Sequence, residues 1–289
     1  MRSLYDICAP AKLNLFLHIT GRRNDGYHLL QSAFMLVDWC DTLHFEFRAD
    51  GTISREDLSD PLPANDLIMR AARALKTASG TDFGAHIGVE KRIPAQAGMG
   101  GGSSDAASTL LALNRLWKLN FSLEELTQVG IQLGADVPFF LGGHNAWVEG
   151  IGEKITPVDL PASRFLIVKP AEGLETKLIF LDQNLKRDTQ TAILSGFLTC
   201  PFDYGQNDLQ NVAEKICPSV TQALQWLAKR GLSGKMTGSG SAVFAEVLHG
   251  FDLTEMPDYF QSKLCDNLMA HPLKGWARSS SFSVSSSCC

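Results

Sequence analysis

The sequence predicts a two-domain protein that contains both α-helices and β-strands. Its 289 residues exceed the roughly 100–200 residues of a usual domain, so two domains are favoured over one. Segments with alternating apolar residues, typical of strands, are interspersed with segments of helical spacing. With 45% hydrophobic and 20% charged residues, the composition is that of a globular protein, which excludes wholesale disorder.

Two strands are predicted near the beginning of the chain. In residues 11–19 apolar side chains occupy every second position from Leu13, which indicates a half-buried strand. Gly, Asn and Asp in residues 21–26 predict a turn. Residues 42–47 alternate again, and a polar, Pro-containing segment over 49–64 predicts a loop.

A helix is predicted over residues 67–79. Asn65 or Asp66 can cap its first turn, and Gly80 can end it. A third strand is predicted over residues 86–93, and it leads into a glycine-rich loop.

The middle of the chain carries a strong helix-start signal. Ser122 and Glu125 form a capping box, and the helix that they begin is expected to stop at Gly134. A strand is predicted over 146–149, and the continuous apolar run at 165–168 indicates a buried strand. We place the domain boundary at 156/157.

The second half of the chain predicts three helices and one strand. The helices are expected over 210–217, over 220–230 and near 257–269, and the strand over 242–248. Seven Ser residues among the last eleven predict a disordered tail over 279–289.

Charge and cysteine content exclude several classes of protein. The net charge of −5 leaves no broad positive field for a nucleic-acid backbone, so we expect no nucleic-acid partner. No apolar run approaches the roughly 18 residues of a membrane span, so we expect no membrane partner. Seven scattered cysteines without a C-x-x-C pair predict reduced thiols and a cytoplasmic location; they are Cys8, Cys40, Cys200, Cys217, Cys265, Cys288 and Cys289.

The most informative motif is the glycine-rich loop between the third strand and a helix predicted over 104–119. Four glycines lie within residues 98–102, so several backbone N–H groups can turn toward one concavity beside the helix N-terminus. That arrangement suits a polyphosphate. The loop lacks the Gly-Lys-Ser/Thr of a Walker A motif, and Ser103 stands where a dinucleotide fingerprint needs its third glycine. The alternative is a flexible surface linker.

Three other features admit a structural interpretation beside a functional one. Asp136 precedes a Pro and two aromatic residues, where it can cap a short helix or act as a shielded base. Lys12 lies on a strand, where a lysine is usually solvated. The Gly/Ser cluster at 237–242 is either a tight turn or part of a second site.

Taken together, five segments resemble the superfamily of galactokinase, homoserine kinase and mevalonate kinase, the GHMP kinases. They are 10–14, 23–28, 94–107, 134–140 and 237–244, and they occur in family order. The resemblance implies an α+β class and a two-domain GHMP kinase fold, with a ribosomal protein S5 domain 2-like N-terminal domain and a ferredoxin-like C-terminal domain. We expect an ATP-binding and catalytic domain over 1–156 and a substrate-side domain over 157–278.

The same resemblance implies which residues act. Lys12 and Asp136 would be the catalytic pair, and ATP and Mg²⁺ the cofactors. The implied ATP-binding residues are Pro94, Ala95, Gln96, Ala97, Gly98, Met99, Gly100, Gly101, Gly102, Ser103 and Ser104, with Asn65 and Asp105 on the adenosine side. The implied substrate-binding residues are Asn14, Tyr27, His28, Thr176, Phe180, Gly238 and Ser239, of which Tyr27, His28 and Phe180 would bind a cytosine ring. No acidic residue of the loop is an obvious ligand for the metal.

The resemblance therefore predicts a kinase that phosphorylates a cytidine diphosphate-linked alcohol. One alternative is a related kinase for another alcohol, such as mevalonate or homoserine. Another is a catalytically silent nucleotide-binding module. We expect a monomer or a homodimer.

Overall fold

The computed structural model describes residues 2–248, 250–251 and 256–278, and their strands form two sheets. The first sheet belongs to the first half of the chain and has the order β3-β4-β2-β5-β6, with β1 paired to β2. Its strands are β1 (Ser3–Arg22), β2 (His28–Arg48), β3 (Ile53–Asp57), β4 (Gly84–Glu90), β5 (Ala146–Gly150) and β6 (Lys154–Pro157).

Four helices pack with this sheet. They are α1 (Leu67–Ser79), α2 (Gly101–Leu116), α3 (Leu123–Ile131) and α4 (Val137–Gly142). Almost the whole of α2 is buried, and its apolar residues share one core with Leu36 and Phe45 of β2 and with Phe139 and Phe140 of α4. The glycine-rich loop is thus attached to one of the most deeply buried helices of the chain.

The second half forms a four-stranded antiparallel sheet with the order β10-β7-β9-β8. Its strands are β7 (Arg164–Pro170), β8 (Lys235–Met236), β9 (Val243–Val247) and β10 (Phe260–Asp266). Its helices are α5 (Thr176–Leu181), α6 (Leu194–Thr199), α7 (Gln210–Ile216) and α8 (Pro218–Ala228).

The helix signals in the sequence are confirmed at the level of hydrogen bonds. Asp66 is the N-cap of α1 and accepts a bond from the N–H of Met69 at 3.1 Å, and Gly80 ends that helix with φ +64°. Both bonds of the Ser122/Glu125 capping box are present. The structure also contains six predicted strands and three predicted helices, with shifted ends. The strands were predicted over 11–19, 42–47, 86–93, 146–149, 165–168 and 242–248, and the helices over 104–119, 210–217 and 220–230.

The prediction of a helix near 257–269 is wrong. Residues 260–266 form β10, which pairs with β7 from Phe260 opposite Pro170 to Asp266 opposite Arg164. The predicted polar loop at 49–64 contains β3, and the short helices α5 and α6 were not predicted. The predicted tail over 279–289 lies outside the described residues.

The prediction of reduced thiols is wrong for one pair of cysteines. Cys8 and Cys40 lie on the paired strands β1 and β2, their Cα atoms are 5.8 Å apart, and their sulfurs form a disulfide. Strand pairing brings them together across 32 positions of sequence, which no spacing rule reveals. Cys200, Cys217 and Cys265 are free.

The end of the described chain returns to the first half. Leu273 is buried in the core of the first sheet, and Leu268, Trp276 and Ala277 pack against it. The division at 156/157 stays a prediction, but residues 267–278 lie with the first domain in space. In the described residues, no helix combines the length and apolar character needed to cross a membrane.

Candidate active site

A cleft of about 1510 Å³ is lined by residues from both halves of the chain. The first half contributes Lys12, Asn14 and residues 91–103, and the second contributes parts of 169–177 and of 238–240. Sites for a single small ligand usually measure about 300–1,000 Å³. The cleft is therefore large enough for two substrates side by side.

The glycine-rich loop forms one wall of this cleft. Gly98 has φ +73°, and a Cβ there would lie 2.2 Å from the carbonyl oxygen of Thr237, so only glycine fits. Gly100 has φ +71° and is the N-cap of α2. Gly101, Gly102 and Ser103, in the first turn of α2, line the cleft. The N–H groups and positive dipole end of a helix start can bind phosphate there.

The Gly/Ser cluster at 237–242 holds this loop from the other half of the chain. The N–H of Ser241 donates to the carbonyl of Gln96 at 3.1 Å, and the N–H of Ala242 donates to that of Ala97 at 3.3 Å. The cluster is thus a tight turn that also fixes the glycine-rich loop.

Lys12 and Asp136 meet beside the loop. The Nζ of Lys12 lies 3.7 Å from Oδ2 of Asp136 and donates a hydrogen bond to Oδ1 of Asn14. The backbone N–H of Lys12 donates to the carbonyl of Met99 at 2.9 Å, which ties the middle of β1 to the loop. The structure therefore brings both predicted catalytic residues to the same end of the glycine-rich loop.

The environments of the two residues differ. Lys12 is 4% exposed, and burial lowers the pKa of its ammonium group while the charge of Asp136 opposes that effect. The ring of Phe34, centred 4.7 Å from Nζ, adds a cation–π contact. Asp136 has the N-cap position of α4, but its side chain makes no capping hydrogen bond and is 31% exposed. Its carboxylate is therefore available to a ligand in the cleft.

Asn14 connects β1 to β2 and to the turn at 237–242. Its Nδ2 donates to Ser32 Oγ at 2.8 Å, and its backbone N–H donates to Thr237 Oγ1 at 2.9 Å. Near that turn, the hydroxyls of Thr176 and Ser239 are 2.6 Å apart. The structure thus groups Asn14, Thr176 and Ser239 along the cleft, and their role in binding a substrate stays a prediction.

The predicted base-binding residues are only partly brought together. The rings of His28 and Phe180 are 5.0 Å apart at an angle of 33°. Tyr27 lies next to His28 in the chain but is 61% exposed. Arg187, which the sequence did not suggest, donates from Nε to Nε2 of His28 at 3.0 Å.

Two of the predicted nucleotide residues do not line the cleft. Asn65 accepts a hydrogen bond from Arg73 at 3.1 Å, and Ser104 is buried, with no partner for its Oγ in the described part of the chain. The remaining predicted nucleotide residues, 94–103 and Asp105, do line the cleft.

Lys91 is a cleft residue that sequence reasoning missed. Its ammonium group lies between two buried carboxylates, Asp41 and Asp105, and it is 2.5 Å from Oδ2 of Asp105. Burial raises the pKa of Asp105 to about 7, Asp41 adds to that rise, and Lys91 opposes it. The only sequence signal was a cation at the end of a strand that leads into the loop.

Family models and known proteins agree with this architecture. The model of the GHMP kinases N terminal domain matches residues 66–144, and that of the GHMP kinases C terminal matches residues 197–263. A protein of Albidiferax ferrireducens named 4-diphosphocytidyl-2-C-methyl-D-erythritol kinase is 72% identical over 286 residues, which cover 99% of this chain and 100% of that protein. A protein of Variovorax paradoxus with the same name is 59% identical and covers 96% of this chain and 100% of its own length.

Solved structures match the fold over nearly the whole chain. A crystal structure of 4-(cytidine 5'-diphospho)-2C-methyl-D-erythritol kinase has a TM-score of 0.75 and 31% identity, covering 90% of this chain and 98% of that one. A crystal structure of mevalonate kinase has a TM-score of 0.64 at 15% identity, covering 92% and 98%, and shares the fold. The α+β, two-domain fold class predicted from the sequence is confirmed.

Proposed function

The chain belongs to the GHMP kinases, and within them to the 4-diphosphocytidyl-2-C-methyl-D-erythritol kinases, and from that membership we propose its reaction. The enzyme transfers the γ-phosphoryl group of ATP to the 2-hydroxyl of 4-diphosphocytidyl-2-C-methyl-D-erythritol, its cytidine diphosphate-linked methylerythritol substrate. The products are the 2-phosphate and ADP, a step of non-mevalonate isoprenoid precursor synthesis. The observation that carries the residue assignment is the Lys12–Asp136 pair, 3.7 Å apart beside the glycine-rich loop.

Asp136 is the general base in this proposal. A tertiary alcohol is a poor nucleophile at neutral pH, so a carboxylate that takes its proton lowers the barrier to attack on phosphorus. The carboxylate is partly exposed to the cleft and is not used in capping α4, which supports this role. Lys12, buried and held by Asn14, orients the carboxylate and stabilises the developing negative charge.

The glycine-rich loop positions the nucleotide. Phosphoryl transfer depends mainly on placement and on charge stabilisation, because little covalent chemistry is required of the protein. The start of α2 offers unpaired N–H groups to the triphosphate. A Cβ on Gly100 would lie 3.2 Å from Cγ of Lys12, so the loop lies directly against the catalytic lysine.

We place Mg²⁺ on the phosphates of ATP. This ion keeps several waters and commonly binds through substrate phosphates, and when bound it neutralises phosphate charge during transfer. Among the described residues, no group of three or more His, Cys, Asp or Glu side chains is arranged to hold a metal. The loop residues would hold the ion indirectly, through the phosphates that their N–H groups bind.

The cellular setting is also part of the proposal. ATP and a nucleotide-linked alcohol are metabolites of the cytoplasm, where we place the enzyme as a monomer or homodimer. The net charge of −5 supports the expectation that the enzyme has no nucleic-acid partner.

Release of ADP from purified protein tests the proposed reaction. With ATP and Mg²⁺, we expect turnover with the cytidylyl substrate and none with mevalonate or homoserine. Turnover with another alcohol alone would identify a different kinase of the family. Absence of ADP release with all three alcohols would favour a nucleotide-binding module without kinase activity.

The nucleobase site has its own test. His28→Ala should raise the KM for the cytidylyl substrate more than it changes the affinity for ATP, because the ring of His28 contacts Phe180 and, among the described residues, makes no hydrogen bond or ring contact with the glycine-rich loop. Lys229→Ala, an exposed change on the C-cap of α8, is a matched control. Equal effects on both substrates would contradict a role in binding the base.

A further inference from the structure

Arg187 fixes which ring nitrogen of His28 carries the proton. A guanidinium group is always protonated and can only donate, so the bond from Arg187 Nε to His28 Nε2 at 3.0 Å requires a lone pair on Nε2. A neutral imidazole has one N–H, which must then be on Nδ1. No other described residue hydrogen-bonds to Nδ1 of His28, so this N–H is available to a ligand.

The guanidinium group is itself held in place. Its NH1 donates to the carbonyl of Leu185 at 3.0 Å, and its NH2 donates to the carbonyls of Phe180 at 3.1 Å and Asp182 at 2.7 Å. These bonds fix the plane of the guanidinium and connect it to the segment that carries the ring of Phe180. Arg187 therefore orients His28 and Phe180 together.

Burial and two cations keep His28 neutral. Burial lowers the pKa of the imidazole, and Arg187 and Arg22 lower it further. Arg187 comes from the segment after α5, and Arg22 ends β1, so positive charge faces the ring from two elements. A neutral ring with one fixed tautomer presents a single hydrogen-bond donor.

We propose that Arg187 is a specificity-determining residue, which selects cytosine over uracil by holding His28 as an Nδ1–H donor. This inference rests on the proposed function. Flipped or isolated bases are commonly read at their Watson–Crick edge. N3 of cytosine is an acceptor and can receive the Nδ1–H, whereas N3 of uracil carries a hydrogen that would face it. The uridine counterpart of the substrate would thus lose the bond and leave a donor unpaired.

Nitrogen NMR of the free enzyme tests the tautomer without substrate. Long-range proton–nitrogen spectra of the wild-type protein, with the His28 signals assigned by comparison with His28→Gln, should show a protonated Nδ1 and an unprotonated Nε2. A proton on Nε2 at neutral pH would overturn the proposal. This measurement does not depend on whether the enzyme is active.

Discrimination between two substrates tests the consequence. For the wild-type enzyme we expect kcat/KM to favour the cytidylyl substrate over its uridine counterpart by about 10- to 100-fold, the scale of one unpaired polar group in a partly buried site. Arg187→Met should reduce this preference, because the freed imidazole can move its proton to Nε2 and accept from uracil. Lys186→Met removes the adjacent exposed cation and should leave the preference unchanged.

A second variant separates this effect from damage to the loop. His28→Leu keeps Arg187 and its three carbonyl partners but offers the base neither a donor nor an acceptor, so the preference should fall as in Arg187→Met. Equal turnover of both substrates by the wild-type enzyme, or full discrimination in both variants, would refute the inference. Absence of turnover with the cytidylyl substrate would instead refute the proposed function, and the NMR result would still decide the tautomer.

Discussion

Replacement of Asp136 by Asn is the most direct test of the mechanism. The change preserves the shape of the side chain and removes its ability to take a proton. A positioned base contributes about 100-fold or more to the rate, so kcat should fall by at least that factor, a barrier increase of about 2.7 kcal/mol. Asp136 makes no capping bond, but its loss leaves the buried ammonium group of Lys12 without its carboxylate partner, so the free energy of unfolding should fall by about 1–3 kcal/mol.

The variant should also change the pH dependence of the remaining activity. Two unit charges about 4 Å apart interact by about 4 kcal/mol at an effective dielectric constant of about 20, before desolvation is counted. This attraction opposes the lowering of the Lys12 pKa by burial. In Asp136→Asn this attraction is lost, so the pKa of Lys12 falls further. Lys12 then loses its proton at a lower pH, and residual activity should decline at a lower alkaline pH than in the wild-type enzyme.

The assay is steady-state ADP release at saturating ATP and cytidylyl substrate, together with thermal unfolding of each protein. Asp159→Asn, an exposed change of the same chemistry, is the control and should behave as wild type. If Asp136→Asn kept kcat within about threefold of wild type, well short of the effect of losing a base, Asp136 would have no part in proton transfer.

Two further predictions concern the glycine-rich loop and its support. Gly98→Ala should lower both the melting temperature and the affinity for an ATP analogue in titration calorimetry, because its Cβ would meet Thr237. Gly80 also has a positive φ, +64°, but a Cβ there would meet nothing within 4 Å. Gly80→Ala is therefore the control, and its stability should fall only by the cost of the backbone strain. Asp105 has a pKa of about 7 in the folded protein against 3.8 when unperturbed, so the folded state binds its proton more tightly. Wild-type stability should therefore fall relative to Asp105→Asn as pH rises from about 4 to about 7, as denaturant unfolding can measure; a parallel course of the two proteins would show that Asp105 is ionised throughout.

Local hydrogen-bonding signals account for the parts of the fold that could be predicted. Asp66 and Gly80 mark the two ends of α1, and Ser122 and Glu125 mark the start of α3, because each satisfies helix-end groups within a few residues of itself. Such signals depend on neighbours in sequence, so no knowledge of tertiary contacts is needed to interpret them.

The wrong helix near 257–269 shows where local reasoning fails. Phe260, Leu264 and Leu268 recur at intervals of four, which fits one face of a helix. The structure instead pairs residues 260–266 with β7, so partners about 100 positions away decide the conformation. Strand preference depends on those partners far more than helix preference does.

The same distinction divides the candidate site. The glycine-rich loop is a compact motif that can be recognised in the sequence by itself, whereas Lys12 and Asp136 are singled out only by the resemblance of their segments to the GHMP kinases. Lys91 and Arg187 are ordinary cations in the sequence, and their chemistry comes from groups that the fold brings to them. Lys91 pairs with Asp41, and Arg187 donates to His28, which is 159 positions away in the chain. A residue that takes its role from a distant partner carries no local signature. The specificity for the base that we propose, unlike the proposed phosphate binding, thus depends on contacts that only the folded chain creates.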